Sequence, residues 1–260
     1  MGNYSDQVYE GMGMIFIGPI IGLPKSIVKT FDPFRKKGLR VECINIFENQ
    51  HEKPGLLKIL SLTVMPNSAQ NRITFANTYN EEILFKNISS RIEKLISEGC
   101  KNIFLGGMSG GFIFVSRIAQ FPQDKLAAKY TSKYLPFIKG IFGVSPLIFY
   151  PNQVSQIGAN LSLIQKNIPA LLIWGDSDQI IPTSTIPHCE KISLRFPNIN
   201  CRVIKGTEVG KKNKTLKHQF FGGRDFVSFI KNIFWNKEAE KIALTEIEYN
   251  LLDNKRNARS

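Results

Sequence analysis

Apolar runs of strand length alternate with segments of helical periodicity along most of the chain. The apolar runs are rich in Ile, Val, Leu and Phe, and most of them end in Gly or Pro. This alternation is typical of a parallel sheet covered by helices on both faces, a three-layer α/β/α sandwich. Six strands are predicted, at residues 14–18, 40–47, 102–105, 138–144, 170–174 and 200–204.

The strongest helical pattern lies between the second and third predicted strands. It opens with the capping-box spacing from Thr78 to Glu81, carries one apolar stripe and stops at Gly99. Further helices are predicted at residues 26–37, 111–120, 124–134, 156–166, 185–195 and 224–235. Without an internal repeat or a low-complexity linker, we expect a single domain over residues 1–260. Its core spans about 13–236, and 237–260 form an extra amphipathic helix and a basic tail.

Composition excludes general disorder and a membrane-spanning protein. The chain has 260 residues, of which 43% are apolar and 21% charged, enough for a sizeable buried core. No run approaches the roughly 18–20 uninterrupted apolar residues that a spanning helix needs. Residues 1–13 carry no Lys or Arg ahead of the longest apolar run, so the basic region of a secretory signal is missing. We therefore expect a cytoplasmic protein.

Cysteine spacing and net charge add little that is specific. Cys43, Cys100, Cys189 and Cys201 form no CxxC pair and no zinc-like spacing, so we expect ordinary thiols and no metal. The net charge of +13 favours acidic partners. No nucleic-acid partner is expected, because the basic residues are not interleaved with aromatic residues in a recognition motif.

A glycine-rich turn follows the third predicted strand and precedes an apolar helix. Residues 107–111 fit the pattern G-x-S-x-G, with Ser109 at its centre. A serine on so tight a turn has a strained backbone, needs neighbours without Cβ, and projects its hydroxyl at the carboxyl end of the sheet. The backbone N–H of Gly110, at the start of the helix, can donate to a developing oxyanion. We predict that Ser109 is a nucleophile; the alternative is a turn that only connects a strand to a helix.

A serine nucleophile requires a general base and an acid that orients it. Of the three histidines, His51 lies in a polar stretch and His188 lies early in a predicted helix. His218 follows the last strand, where a loop can fold back over the end of the sheet, and is the predicted base. Asp178, just after the strand at 170–174, is the predicted acid. Asp176 is its alternative, and the one of the two that does not face the imidazole is expected to cap the turn.

These motifs resemble those of the α/β-hydrolase superfamily. Residues 173–182 read I-W-G-D-S-D-Q-I-I-P, similar to the family's acid segment I-W-G-x-x-D-x-I-x-P, and the order Ser109, Asp178, His218 is that of the family. The resemblance implies a reduced sheet of about six strands, because the family's two leading strands are missing. It also implies a serine hydrolase of the esterase, lipase or thioesterase type. Such an enzyme cleaves a carboxylic ester or thioester through an acyl-enzyme and needs no cofactor.

The loop after the first strand departs from the family pattern. A His-Gly pair usually precedes the second oxyanion donor, whereas this chain has Gly18 followed by Pro19, which carries no N–H. The donor is then expected to be Ile20 or Ile21. The departure also leaves open an alternative function, a catalytically impaired binding or regulatory protein of the same fold.

Substrate contacts are expected from apolar residues near the turn. Leu147 and Phe149, with Ile21 and Met108, are predicted to line the pocket of a small acyl substrate. Five lysines between residues 205 and 217 precede His218. They are either a solvated loop or a positive rim that attracts an anionic substrate.

Overall fold

The structure is a computed structural model that describes residues 8–19, 25–49, 80–146, 148, 159–176, 178, 185–209, 221 and 236–253. Its described residues form one sheet of six strands, and every pairing is parallel. The strands are β1 (Met12–Ile17), β2 (Arg40–Ile44), β3 (Asn102–Met108), β4 (Ile138–Val144), β5 (Ala170–Gly175) and β6 (Ile199–Ile204). Their order is β2-β1-β3-β4-β5-β6, which confirms the predicted parallel sheet.

Seven α-helices lie in the described part of the chain. They are α1 (Lys25–Thr30), α2 (Asp32–Lys36), α3 (Glu81–Ser97), α4 (Gly111–Ile118), α5 (Lys125–Thr131), α6 (Thr185–Arg195) and α7 (Lys237–Ile247). Short 3₁₀ turns occupy Ser132–Phe137, Leu161–Leu163 and Gly206–Val209, and α7 continues into a π-turn at Glu248–Asp253. None of these helices has both the length and the apolar character of a membrane span.

Two apolar clusters pack on opposite faces of the sheet, because successive strand residues point to opposite sides. In β1, Ile15 and Ile17 belong to the first cluster, which also holds residues of α3, α4, α5 and α6. Met14 and Phe16 belong to the second cluster, which holds residues of α1, α2 and α7. The layers confirm the predicted α/β/α sandwich, whereas the single domain over 1–260 stays a prediction.

The start of α3 differs from the predicted capping box. Asn80 is the N-cap, and its side-chain oxygen accepts from the N–H groups of Glu82 (3.0 Å) and Ile83 (3.2 Å). The predicted cap, Thr78, lies outside the described residues. Gly99 ends the helix as predicted, with a left-handed φ of +91° and its N–H bonded to Ile96.

Further boundaries also differ from the sequence prediction. The helix expected over 26–37 is broken at Phe31 into two short helices, with Pro33 in the first turn of the second. Within the described part of the segment 156–166, the only helical element is the 3₁₀ turn Leu161–Leu163. Strand β3 extends to Met108, because Gly106 and Gly107 pair with β4. The helix predicted at 224–235 lies outside the described residues.

Candidate active site

The backbone ladder of the sheet continues one residue past several strands at its carboxyl edge. In each case the first residue after a strand donates its N–H to a backbone carbonyl of the neighbouring strand, which belongs to the last residue of that strand in three of the four pairs. The pairs are Gly18 with Ile44 (2.9 Å), Ser109 with Val144 (3.0 Å), Ser145 with Ile173 (2.7 Å) and Asp176 with Ile204 (3.0 Å). The polar residues of this edge are therefore held at fixed positions by the main chain.

Ser109 lies between β3 and α4 in a left-handed conformation, with φ of +52°. This region is costly for a residue with a Cβ, by about 1–2 kcal/mol, and strained residues of this kind cluster at functional sites. The helix begins at once, since the N–H of Phe112 donates to the Ser109 carbonyl (3.2 Å). The residue is only 8% exposed. The turn has the strained geometry that the sequence motif predicts.

Gly107 and Gly111, the outer glycines of the motif, have no room for a side chain. A Cβ on Gly107 would lie 2.5 Å from the backbone nitrogen of Phe112. A Cβ on Gly111 would lie 2.4 Å from the carbonyl oxygens of both Ile17 and Gly18. Because these neighbours are backbone atoms, they cannot move aside as a flexible side chain would. The start of α4 is thus packed directly against the end of β1.

This close packing places the loop after β1 beside the serine turn. Gly18 already uses its N–H in the sheet, where it donates to Ile44, and Pro19 has none to donate. A second oxyanion donor from this loop must therefore come after Pro19. The predicted donors Ile20 and Ile21 lie outside the described residues, while Gly110, the first predicted donor, is the N-cap residue of α4.

The two candidate acids follow β5 and have different surroundings. Asp176 is partly exposed, and its Oδ2 accepts from the backbone N–H of Gly206 (2.8 Å), the first residue of a 3₁₀ turn after β6. Asp178 is fully buried. The Gly206 partner of Asp176 lies outside the turn that follows β5, so the capping role stays a prediction, as does the assignment of Asp178 as the acid of the triad.

Several predicted site residues lie outside the described part of the chain. These residues are His218, Ile20, Ile21, Leu147 and Phe149. Met108 is described, and its side chain is fully buried in the cluster shared with α1, α2 and α7. That position serves core packing, and its contact with a substrate stays a prediction. Within the described ranges, no three His, Cys, Asp or Glu side chains gather into a group suited to a metal ion.

Ser145 is a second strained serine that the sequence motifs did not indicate. It follows β4, has φ of +45° and is fully buried. Its hydroxyl has no hydrogen-bond partner among the described residues. Since Met108 pairs with Val144, Ser145 stands next to Ser109 at the sheet edge. The only sequence signal was a serine between an apolar strand and Pro146.

Comparison with solved structures shows the fold to be that of the α/β-hydrolases. A proposed dienelactone hydrolase from Klebsiella pneumoniae subsp. pneumoniae has a TM-score of 0.56 at 14% identity, over 92% of this chain and 85% of its own. A dienelactone hydrolase-like promiscuous phosphotriesterase from metagenomic libraries has a TM-score of 0.49 at 10% identity, over 90% and 83%. No protein-family model and no curated protein sequence matches the chain. With six strands among its described residues, the sheet is that of a reduced α/β-hydrolase fold.

Proposed function

We propose that the protein is a serine hydrolase that cleaves a carboxylic ester or thioester. The observation that carries the proposal is the conformation of Ser109, which is left-handed, lies at the carboxyl edge of the sheet, and is flanked by two glycine sites closed to a Cβ. A strained backbone needs compensation from its surroundings, and catalysis is a reason for a fold to keep it. The fold agrees with this activity, since its structural relatives include proteins named as hydrolases.

The proposed reaction runs on Ser109, His218 and Asp178. His218 takes the proton of the Ser109 hydroxyl while Oγ attacks the substrate carbonyl carbon. The resulting oxyanion accepts hydrogen bonds from the backbone N–H of Gly110 and from a residue after Pro19, with Ile20 as the first candidate. His218 then protonates the leaving alcohol or thiol, and an acyl-enzyme remains on Ser109.

Water completes the proposed cycle. His218 removes a proton from the water molecule as it attacks the acyl carbon, and the proton passes to Ser109 Oγ as the acid product leaves. Asp178 holds the imidazole in the tautomer whose free nitrogen faces Ser109, and its charge stabilises the imidazolium. Full burial suits this role, because a carboxylate shielded from water interacts more strongly with a cationic partner.

The backbone of the turn supports the proposal through preorganisation. Two main-chain hydrogen bonds hold Ser109, one from its N–H to the Val144 carbonyl and one to its own carbonyl from the N–H of Phe112. A nucleophile held in this way needs little rearrangement when the substrate binds. A small acyl substrate fits the proposal. Whether this substrate is anionic is tested by comparing the hydrolysis rates of anionic and neutral esters of the same chain length.

The proposal is tested by hydrolysis of p-nitrophenyl esters and acyl thioesters of graded chain length. We expect Ser109→Ala to lower kcat by about 10⁴-fold or more, since loss of a nucleophile removes the covalent route. Ser116→Ala is the matched control, because Ser116 is buried in α4 and its hydroxyl only bonds the Ile113 carbonyl (2.7 Å). Equal turnover by the wild type and Ser109→Ala would refute the proposal.

The loop after β1 favours one alternative, a binding or regulatory protein with impaired catalysis. Gly18 has a committed N–H and Pro19 has none, and the loss of one oxyanion donor typically lowers kcat by about 10²–10³-fold. In that case a non-hydrolysable ester analogue binds wild type and Ser109→Ala alike, and neither hydrolyses any member of the panel. Measurable turnover that depends on Ser109 excludes this alternative.

A further inference from the structure

Ser145 repeats the backbone geometry of Ser109 one strand away. Each is the first residue after its strand, and each has a left-handed φ, +52° for Ser109 and +45° for Ser145. Met108 pairs with Val144, so the next step of the same register sets the two serines side by side. Because neighbouring strands lie about 4.8 Å apart, roughly 5 Å separates the backbones of the two residues.

The main chain also sets the direction of the Ser145 side chain. Its N–H donates to Ile173 in β5 (2.7 Å), as the N–H of Ser109 donates to Val144 in β4 (3.0 Å). These bonds give the two preceding peptide planes the same orientation in the sheet. Since the peptide plane and φ together determine where Cβ leaves the chain, the two side chains point the same way. The hydroxyl of Ser145 therefore belongs to the same edge as the proposed nucleophile.

Packing after Ser145 keeps this turn in place. Pro146 lies against the strand that it follows, since a Cβ on Gly143 would come within 2.7 Å of the Pro146 Cβ. The Pro146 carbonyl accepts a hydrogen bond from the indole N–H of Trp174 in β5 (3.4 Å), and Trp174 is fully buried. The left-handed conformation of Ser145 is thus held by contacts on both neighbouring elements.

The Ser145 hydroxyl lacks the partner that buried hydroxyls usually have. Ser116 is also fully buried, and its hydroxyl bonds the Ile113 carbonyl (2.7 Å). Ser145 is fully buried, yet no described atom bonds its hydroxyl. Ser26 is the other such case in the described chain, but it lies within α1 and not at the edge of the sheet. A buried hydroxyl without a partner costs free energy, so a fold that keeps one beside its nucleophile requires an explanation.

We propose that the Ser145 hydroxyl binds the substrate and makes the enzyme selective for acyl groups that carry a hydrogen-bond acceptor close to the carbonyl. The inference rests on the proposed hydrolase function. Ser145 lies on the β4 side of Ser109, away from the β1 side, whose loop is expected to supply an oxyanion donor. The acyl group stays on Ser109 after the leaving group departs, so an oxygen two bonds from its carbonyl carbon can reach a donor roughly 5 Å from Ser109.

Burial makes this contact selective. Ser145 has no exposed surface, whereas Ser109 is 8% exposed, so bulk water does not compete for the Ser145 hydroxyl. An acyl chain with an ether, hydroxyl or carbonyl oxygen at the right position pairs with the hydroxyl, and an alkyl chain leaves it unpaired. A site built to form a hydrogen bond disfavours the analogue that lacks the polar atom.

The test compares two p-nitrophenyl esters of equal chain length, the methoxyacetate and the butyrate, which differ by one ether oxygen in place of a methylene. The ratio of their kcat/KM values is measured for wild type and for Ser145→Ala, which keeps the Cβ and the left-handed φ. The different chemical reactivity of the two esters cancels when the proteins are compared. We expect the ratio to fall about tenfold in Ser145→Ala, as the loss of one hydrogen bond predicts. Ser116→Ala is the matched control and should keep the wild-type ratio.

Ser145→Gly separates the hydroxyl from the strain of the turn. It removes both, so the ratio is expected to fall as far as in Ser145→Ala. A fall in Ser145→Gly alone would assign the selectivity to the backbone and overturn the inference, as would a wild-type ratio in Ser145→Ala. Wild type that hydrolyses neither ester would overturn the proposed function itself, and the inference with it.

Discussion

The backbone N–H of Ser109 donates to the carbonyl oxygen of Val144 over 3.0 Å. The bond extends the pairing of β3 with β4 by one residue, at a point where the chain already turns into α4. The sheet fixes the position of the Ser109 amide, and the start of α4 requires a left-handed φ of +52° at the same residue. The conformation of Ser109 therefore follows from the joining of the two elements and from the absence of side chains at the flanking glycines.

Ser109→Gly is expected to stabilise the protein while it abolishes hydrolysis. Glycine adopts the left-handed region without penalty, and its greater freedom in the unfolded chain offsets only part of the gain. We expect a rise of about 1 kcal/mol in the free energy of unfolding by urea titration. Ser109→Ala keeps the Cβ and is expected to show no such rise. A less stable Ser109→Gly variant would contradict the strain argument.

Ser145→Gly extends the same test to the neighbouring turn. It removes a left-handed φ of +45° and a buried hydroxyl without a partner in the described part of the chain. We expect a stabilisation of about 1 kcal/mol, with hydrolysis retained. Loss of hydrolysis in this variant would show instead that the reaction uses the hydroxyl.

Gly111→Ala is expected to disrupt the turn. Its Cβ would meet two backbone carbonyl oxygens at 2.4 Å, so either α4 or the end of β1 must shift. Overpacking of this kind costs about 1–3 kcal/mol, and the shift would also lower kcat. Gly140→Ala is the matched control, because its nearest neighbour is the flexible tip of Leu251 at 3.1 Å. Thermal unfolding should give the smaller loss for Gly140→Ala, and equal losses would contradict this account.

Asn substitutions separate the two candidate acids. Asp178→Asn keeps the shape but removes the charge that stabilises an imidazolium, so we expect kcat to fall by about 10³–10⁴-fold. Asp176→Asn retains an oxygen that can accept from Gly206 and is expected to keep most activity. Steady-state kinetics on one ester decide between them. A large loss for Asp176→Asn with little change for Asp178→Asn would transfer the acid role to Asp176.

The contact of Glu248, just after α7, with Tyr9 and Lys37 is expected to weaken in acid. Burial opposes its charge, but hydrogen bonds from Lys37 and Tyr9 outweigh burial and hold the pKa of Glu248 below its usual value. A lowered folded-state pKa adds stability above the unfolded pKa of about 4.3, and this is lost as pH falls through the folded value.

The test compares unfolding free energies at pH 7 and pH 3. We expect Glu248→Gln to cost at most about 1 kcal/mol at pH 7, because solvent screens a partly exposed pair. The difference from wild type should shrink as pH falls below the unfolded pKa. Glu238→Gln, exposed at the start of α7, is expected to leave the profile unchanged. A difference that does not decrease between pH 7 and pH 3 would exclude the ionic origin.

Much of the fold was predictable, because apolar runs and helical stripes are local properties of the sequence. The predicted strand 138–144 coincides with β4, whose residues are largely apolar and buried. The predicted strand ends at Leu105, before two glycines, a residue type that usually weakens strands. Gly106 continues the strand, since the missing side chain leaves space for the ring of Phe142, a contact that depends on the fold.

Residues of the candidate site could be predicted from the sequence only where a short motif marks them. The strained turn at Ser109 and the pair of acids after β5 could be predicted from short motifs. The left-handed conformation of Ser145 could not, because it arises where β4 ends beside Ser109 and no motif marks it.

Labelling with a fluorophosphonate probe tests the central claim most directly. The probe forms a covalent adduct only with a serine whose hydroxyl is activated by its surroundings. We expect a single adduct on Ser109 of the folded wild type, located by peptide mass spectrometry, and none on Ser109→Ala or His218→Ala. Folded wild-type protein that stays unlabelled, or that is labelled at another serine, would contradict the account.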